Sequence, residues 1–307
     1  MTLSHPKDEL TLDRAYKTCR AIARREAKNF YYAFVALPSE RRNAICAIYA
    51  FMRQADDLAD DEKHSIAQRR QMLELWLKEW HEVSNDAPTL NPVFFAVRDA
   101  TRKFDIPLHL LDELTAGVTM DLKLNPDQPT TYDTFQELYR YCYLVASVVG
   151  LVCIRIFGYR DLRAERLAEE TGIAFQLTNI LRDVPEDAAR NRVYVPLKDL
   201  AAHNISLDSL LHRAPGVPPT TEERRLLAAM GRRAERYYGS ARQLLPLIDS
   251  ESRPALWVLV AIYHALLRRI ERADFDVFTR RANVPVLKKF AILTVGIVWT
   301  AWARIGG

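Results

Sequence analysis

Apolar residues recur at three- and four-residue spacing along most of the chain, which is the period of an amphipathic α-helix. Ile45, Ile48 and Met52, for example, form one apolar stripe. Segments with this pattern cover 11–36, 41–60, 66–82, 92–104, 107–122, 132–157, 161–188, 221–245 and 252–273. Turn residues such as Pro, Asn and Ser separate these segments, and none of them alternates as a β-strand would. The pattern therefore predicts an all-α protein.

The end of the chain has a different pattern. Residues 290–303 carry no charge, whereas Lys288 and Lys289 precede them and Arg304 follows. As a helix, this stretch would span about 21 Å, which is short of the ~30 Å hydrocarbon core of a bilayer. It could lie in a membrane interface or pack on the protein core, and both interpretations stay open. Because no linker divides the remainder, we predict one domain over 1–285 and an apolar segment over 286–307.

Composition narrows the function classes. The chain has 307 residues, 49% of them hydrophobic, and a net charge of +4. These values exclude a long disordered chain and give no support to nucleic-acid binding. The four cysteines lie in apolar stretches without paired spacing, and the N-terminus lacks an apolar leader. We therefore predict reduced thiols in a cytoplasmic protein with no secretory signal.

A first acidic row stands in the sequence ADDLADDE, residues 55–62. On a helix, Asp56 and Asp60 share one face, and Asp57 and Asp61 share the next. Like charges at this spacing repel each other by a few tenths of a kcal/mol, so the row is poor design for stability alone. Carboxylates together with substrate phosphates are typical ligands of Mg²⁺. A solvated acidic helix end is the alternative interpretation.

A second row makes the functional interpretation stronger. Asn179, Asp183 and Asp187 follow one another at four-residue steps, Gln176 extends the row by a turn, and Arg182 lies beside it. Each row has a nearby arginine, which is Arg53 for the first. Arginine binds phosphate oxygens while a divalent cation neutralises a leaving group, so the two rows predict a site for magnesium, or manganese, and a polyanion. Pro185 predicts a kink or loosening of the second helix.

At this point the sequence resembles a known family. ADDLADDE and QLTNILRDVPEDAARNRVYVP resemble the two aspartate motifs of squalene/phytoene synthases. NFYYAFVALPSERRNAICAIYAFMRQADD resembles the N-terminal region of that family, and YRYCYLVASVVGLVCIRIFGY resembles its central helix. The last string is most similar to bacterial presqualene diphosphate synthases of the hopanoid pathway. The resemblance implies an isoprenoid synthase-type helical bundle with a central apolar cavity, lined in part by residues 145–150, Ala168 and Gly172.

The resemblance also implies roles for individual residues. The implied metal ligands are Asp56, Asp60, Asn179, Asp183 and Asp187. The implied substrate-binding residues are Lys28, Arg53, Gln176 and Arg182. The implied catalytic residues are Tyr141, Tyr263 and Asp57.

The implied reaction is a magnesium-dependent head-to-head (1′–1) condensation of two farnesyl diphosphates to presqualene diphosphate, with release of diphosphate. No Gly-rich dinucleotide fingerprint is present in the sequence, so we expect no NADPH requirement for this first half-reaction, and a later reductive step stays open. Alternatives are a phytoene synthase that uses geranylgeranyl diphosphate, a dehydrosqualene or squalene synthase, and a non-enzymatic helical interaction protein. The expected partners are prenyl diphosphates. We also expect peripheral contact with the inner face of the cell membrane through residues 286–307.

Overall fold

The computed structural model describes residues 10–120, 122 and 128–305, without the side chains of 28–30, 32, 297 and 300–305. Helices dominate this part of the chain. The β-type pairing within it consists of two isolated bridges, Thr130 with Arg192 and Tyr159 with Ile248. The predicted all-α class is confirmed. Internal contacts divide the chain into two compact units, Met1–Leu122 and Lys123–Gly307, which are described separately. The predicted division at residue 285 stays a prediction.

The amino-terminal unit, Met1–Leu122, contains six helices within its described residues. They are α1 Leu12–Glu26, α2 Lys28–Val35, α3 Ser39–Ala59, α4 Ile66–Ser84, α5 Pro92–Lys103 and α6 Leu108–Met120. α1 packs against α3 and α5. It buries Ala15, Cys19 and Ala23, which share one face at four-residue steps. The segment predicted as one helix over 11–36 is two helices, α1 and α2, with Ala27 between them.

The carboxy-terminal unit, Lys123–Gly307, contains the remaining helices. They are α7 Phe135–Cys142, a π-helical segment Tyr143–Ser147, α8 Val148–Phe157, α9 Arg163–Ala188, α10 Leu197–Ala202, α11 Leu207–Leu211, α12 Thr221–Leu244, a 3₁₀ turn Leu245–Leu247, α13 Arg253–Arg272 and α14 Val286–Ile305. α9 is central, since α7, α8, α11, α12 and α13 all pack against it. It carries the whole second row and continues through Pro185 to Ala188. Pro185 therefore does not end the helix, and the predicted kink or loosening stays a prediction.

Small residues bring the backbones of α9 and its neighbours close together. A Cβ on Gly172 would lie 2.6 Å from Ser147 Cα, and a Cβ on Gly150 would lie 3.0 Å from the Ala168 carbonyl oxygen. Ser147 Oγ also donates to the backbone oxygen of Glu169 at 2.7 Å. Gly150, Ala168 and Gly172 are thus packing residues. The expectation that they line a prenyl tunnel is wrong, since neighbouring backbone fills that space.

Another face of residues 143–157 carries apolar side chains that neighbouring residues cover only in part. Val145, Val149 and Cys153 follow at four-residue steps, and all three are half-buried. Burial nevertheless raises the pKa of the Cys153 thiol to about 12. This face of α8 remains the candidate lining of the apolar cavity.

Among the described residues, one helical stretch is long and apolar enough to cross a membrane, namely Phe135–Phe157. Its contacts are those of a core helix, because Ser147 and Gly150 pack against α9. All four cysteines are free thiols, of which Cys19, Cys46 and Cys142 are buried. That state agrees with the predicted reduced thiols.

Candidate active site

The first acidic row lies at the carboxyl end of α3. Asp56 and Asp57 occupy its last turn, and Asp60 is the C-cap residue, whose backbone N–H donates to the Asp56 carbonyl oxygen at 2.8 Å. Asp56 and Asp60 therefore keep the predicted helical spacing. Asp61 lies outside the helix and accepts from the Lys63 backbone N–H at 3.2 Å. The predicted pairing of Asp57 with Asp61 on one face is therefore wrong.

The carboxyl end of a helix carries partial negative charge, so three aspartates there are electrostatically unfavourable. The last turn of α3 holds no basic residue. A guanidinium from α4 supplies the cap instead, since Arg69 Nη1 donates to the Ala59 carbonyl oxygen at 2.8 Å. Beneath this end, Ala55, Ala59 and Leu73 form an apolar cluster that anchors α3. The row is thus held in place by its surroundings despite its own repulsion.

Arg53 lies one turn before Asp57 and forms an ion pair with its carboxylate. Asp57 is 57% exposed, so this pair contributes little to stability and leaves the carboxylate accessible. Lys28 is the first residue of α2, and its side chain lies outside the described residues. Its predicted role in binding diphosphate stays a prediction.

The second row lies along α9, where its members are half-buried. Asn179 Nδ2 donates weakly to Gln176 Oε1 at 3.4 Å. Asn179 Oδ1 is buried and has no hydrogen-bond partner. An unsatisfied buried acceptor costs about 1–3 kcal/mol, so this oxygen is a candidate ligand atom.

Asp183 is the most heavily paired acid of the row. Arg182 donates to both of its carboxylate oxygens, through Nε at 2.8 Å and through Nη2. Arg281 donates to Oδ1 through Nε at 3.0 Å and Nη2 at 2.6 Å. Burial raises the pKa of Asp183, but the hydrogen bonds and charges of these two arginines outweigh it and hold that pKa below its ordinary value.

The pKa of the Asp187 carboxyl is shifted in the opposite direction from that of Asp183. Burial raises the pKa of Asp187 to about 7, and the nearby charge of Asp183 adds to the rise. Between them lies Glu186, whose Oε1 is 3.3 Å from Arg281 Nε and whose Oε2 is buried without a partner. The end of α9 therefore concentrates acceptor oxygens in a poorly hydrated place.

The predicted catalytic tyrosine Tyr141 lies in a group of three tyrosines. Its hydroxyl donates to the Tyr194 hydroxyl at 3.1 Å, and the two rings stack with their centroids 4.9 Å apart. Tyr132 is 5.5 Å from the Tyr141 ring. Backbone hydrogen bonds between the two segments position Tyr132 and Tyr194. Thr130 N donates to Asn191 O at 2.9 Å, and Leu197 N donates to Tyr132 O at 2.9 Å. Tyr194 also lines a small cavity together with Asp187.

The second predicted tyrosine, Tyr263 of α13, belongs to a different aromatic group. Its ring stacks on Phe175 of α9 with centroids 4.4 Å apart and planes at 17°. Phe175 in turn contacts Tyr238, whose hydroxyl is 2.9 Å from Thr178 Oγ1. Phe175 lies on the helix that carries the second row, so Tyr263 packs against α9. The two predicted tyrosines thus belong to separate aromatic groups.

Comparison with known proteins identifies the family. The sequence profile of squalene/phytoene synthase matches residues 23–288. The chain belongs to the squalene/phytoene synthase family. It is 34% identical to the phytoene synthase of Arthrospira platensis over 296 residues, which is 92% of each chain. A solved dehydrosqualene synthase aligns with a TM-score of 0.80 and 26% identity, over 95% of this chain and 98% of the other.

A solved squalene synthase of Alicyclobacillus acidocaldarius aligns with a TM-score of 0.77 and 27% identity, over 86% of this chain and 96% of the other. Squalene/phytoene synthases are prenyltransferases that act on prenyl diphosphates, and this chain is accordingly a prenyltransferase. The non-enzymatic alternative falls with this result.

Squalene/phytoene synthases generally depend on a divalent metal, and the residues present fit one. The donors are carboxylate and amide oxygens, which magnesium prefers over nitrogen or sulfur. Asn179 Oδ1 and Glu186 Oε2 are buried acceptors that lack partners. Within the described residues, no three His, Cys, Asp or Glu side chains come together as a complete ligand set. Magnesium bound by proteins usually takes one or two carboxylates, and substrate phosphate and water complete its coordination.

Three residues of this squalene/phytoene synthase site escaped the sequence analysis. Arg281 contacts Asp183 from 98 positions away, in the segment between α13 and α14. Tyr194 reaches Tyr141 through the turn after α9, and Glu186 sits between two predicted ligands. For Glu186 and Tyr194 a signal existed, because both stand inside the quoted second motif. Nothing in the local pattern pointed to Arg281.

Proposed function

We propose that this prenyltransferase condenses two farnesyl diphosphates head-to-head to presqualene diphosphate. The observation that carries the proposal is the pairing of Asp183 with Arg182 and Arg281 beside the unsatisfied oxygen of Asn179. Guanidinium groups next to acceptor oxygens suit a ligand that is itself a metal-bound polyanion. A diphosphate ester is such a ligand.

The acidic residues of α3 and α9 would hold magnesium. For this role we assign Asp56, Asp60, Asn179, Asp183 and Asp187. Magnesium bound there neutralises charge on the departing diphosphate. Arg182 is fixed by its two bonds to Asp183, so it presents a preorganised donor to phosphate oxygens. Gln176, one turn earlier, would donate its amide to the same oxygens.

We assign Arg53 and Asp57 to the same diphosphate chemistry. Arg53 already contacts Asp57, and both lie in the final turns of α3. Arg53 would bind phosphate oxygens and Asp57 would keep that guanidinium oriented. Lys28 is assigned to diphosphate by its place in the family motif.

The reaction begins when the C1–O bond of one farnesyl diphosphate breaks and diphosphate leaves with the electron pair. The double bond of the second molecule attacks C1, and loss of a proton closes the cyclopropane. The ring of Tyr141, stacked on Tyr194, offers its π-electrons to the cation. The hydrogen-bonded hydroxyls of Tyr141 and Tyr194 would assist the loss of that proton. Tyr263 would stabilise positive charge in the same way as the Tyr141 ring.

A second candidate is the condensation of two geranylgeranyl diphosphates to phytoene. The specific observation in its favour is the 34% identity to a protein named phytoene synthase. Against it stands the similarity of the stretch YRYCYLVASVVGLVCIRIFGY to presqualene diphosphate synthases. The two candidates share the chemistry and differ in the length of the prenyl chain.

One incubation separates these candidates. Purified protein with Mg²⁺ receives equimolar C15 and C20 diphosphates, and products are identified by mass with and without NADPH. We expect presqualene diphosphate from C15 substrate, unchanged by NADPH. A C40 hydrocarbon as the main product would transfer the assignment to phytoene synthase, and squalene formed with NADPH would transfer it to squalene synthase.

A further inference from the structure

Helix α14 presents two unlike faces. Lys289, Ile292, Leu293 and Gly296 lie on the covered face, at the spacing of one helical stripe. This face packs on α13, where a Cβ at Gly296 would come within 2.5 Å of Val258 Cγ2. Trp299 meets Trp257 of α13 edge-on, with ring centroids 6.2 Å apart. One side of α14 is therefore already covered by α13.

The opposite face is apolar and exposed. Its large side chains are Val286, Leu287, Phe290, Val295 and Val298, each at least 51% exposed. Ala291 and Thr294 are exposed between them, and within the described side chains of α14 the exposed charge is Lys288, at the edge of this face. Elsewhere in the described part of the chain, exposed large apolar residues occur singly. A contiguous apolar face of this kind marks an interaction surface.

A cationic cleft of about 480 Å³ adjoins the start of this face. Its basic residues are Arg269, Arg272, Arg280, Arg281 and Lys288. All five are exposed, and Arg281 also belongs to the pairing with Asp183. The single acid in the lining, Asp276, already accepts hydrogen bonds from the Thr279 hydroxyl at 2.6 Å and backbone N–H at 3.0 Å. The cleft therefore carries a clear excess of positive charge.

We propose that the exposed face of α14 and the cationic cleft together dock the protein on an anionic lipid bilayer. An apolar face bordered by basic residues suits a helix that lies in the plane of the interface, with its apolar side among acyl chains and its cations near lipid phosphates. The charge pattern disfavours a second copy of this chain. A second copy would offer the same apolar face and the same excess of positive charge, so this surface would supply no anion for the cleft, whereas lipid phosphates would.

The test uses the whole protein and sedimentation with vesicles of phosphatidylcholine, with or without phosphatidylglycerol. We expect binding to the anionic vesicles that weakens with added salt. The double variant Leu287→Ser/Val295→Ser should bind at least about tenfold more weakly, because two apolar side chains no longer enter the bilayer. The variant Arg269→Gln/Arg272→Gln should lose the preference for anionic lipid.

A matched control is Leu75→Ser/Leu162→Ser, which removes two similarly exposed apolar side chains, one on α4 and one at the N-cap of α9, and should bind as the wild type does. The absence of binding to either vesicle would overturn the proposal. Equal binding by the α14 variant and the wild type would overturn it too. So would sedimentation as a dimer without lipid that Leu287→Ser/Val295→Ser disrupts, because a second copy would then be the occupant.

Discussion

The two acidic rows use the same residue types in opposite surroundings. At the end of α3, Asp57 and Asp60 are exposed, lie at the negative end of the helix dipole and meet one partly exposed arginine. On α9, Asp183 is only 17% exposed and is held by two arginines. The aspartates of the first row therefore destabilise the folded protein, whereas Asp183 of the second row is part of its packed structure. Changing an aspartate in each row should consequently have opposite effects on folding and the same effect on activity.

The largest effect is expected from Asp183→Asn. Diphosphate release should fall by about 100-fold or more, because a ligand is lost and two arginines lose their anchor. The thermal midpoint should also fall, since the Arg182 guanidinium, 19% exposed, loses a charged partner. Asp161→Asn is the control. Arg163 donates to the Asp161 carboxylate through Nε and Nη2, and this ion pair lies at the surface outside the site. A fully active Asp183→Asn enzyme would refute the assignment of the second row.

The next largest effect is expected from Gly172→Ala, which disturbs the packing of α9. Gly172→Ala should destabilise the protein by about 1–3 kcal/mol in urea unfolding, because the new methyl group meets the Ser147 backbone at 2.6 Å. Gly239→Ala in α12 should change stability in the opposite direction, by up to about 1 kcal/mol. Its nearest neighbour would be Arg242 Nη2 at 4.0 Å. Equal stability of the two variants would mean that the second row does not depend on tight packing of its helix.

A pH experiment examines the buried end of the second row in metal-free protein. The pKa of Asp187 is raised to about 7, so the folded state keeps a proton that the unfolded state has already released. Stability should therefore fall as pH rises from about 4 to about 7 and then level off. Asp187→Asn should lose less stability over this window than the wild type, as measured by urea unfolding in EDTA. Parallel pH profiles for both proteins would count against the raised pKa.

The smallest change in stability is expected from Asp60→Asn. Its sign, a gain instead of a loss, distinguishes the first row from the second. Asp60→Asn removes a negative charge from the carboxyl end of α3, so we expect a gain of a few tenths of a kcal/mol in unfolding free energy. Diphosphate release should nevertheless drop sharply, since a proposed metal ligand is lost. Destabilisation by Asp60→Asn would remove the contrast with Asp183→Asn, and undiminished release would remove Asp60 from the site.

The sequence was most informative where function or burial follows a local period. The 3.6-residue apolar pattern located α3, α4, α5 and α9 closely, and four-residue spacing identified Asp56, Asp60, Asn179 and Asp183 as neighbours on their helices. The break at Ala27 was missed because no Gly or Pro marks it. α10 and α11 were missed because five or six residues are too few to display a period.

Residues brought together by tertiary structure were beyond local reasoning. Arg281 reaches Asp183 from a segment that follows α13, and no spacing rule connects them. Gly172 was read as a cavity residue because a missing side chain has the same appearance in sequence whether a ligand or a backbone fills the space. Only the neighbouring Ser147 backbone settles that question.

The central claim is that both acidic rows serve one metal-dependent release of diphosphate. The most direct measurement follows diphosphate release from farnesyl diphosphate as Mg²⁺ is added, for the wild type, Asp60→Asn and Asp183→Asn. We predict that the wild type releases diphosphate only with Mg²⁺ and that both variants fail, while both keep their helical circular dichroism. Wild-type release in EDTA, or normal release by either folded variant, would contradict this account.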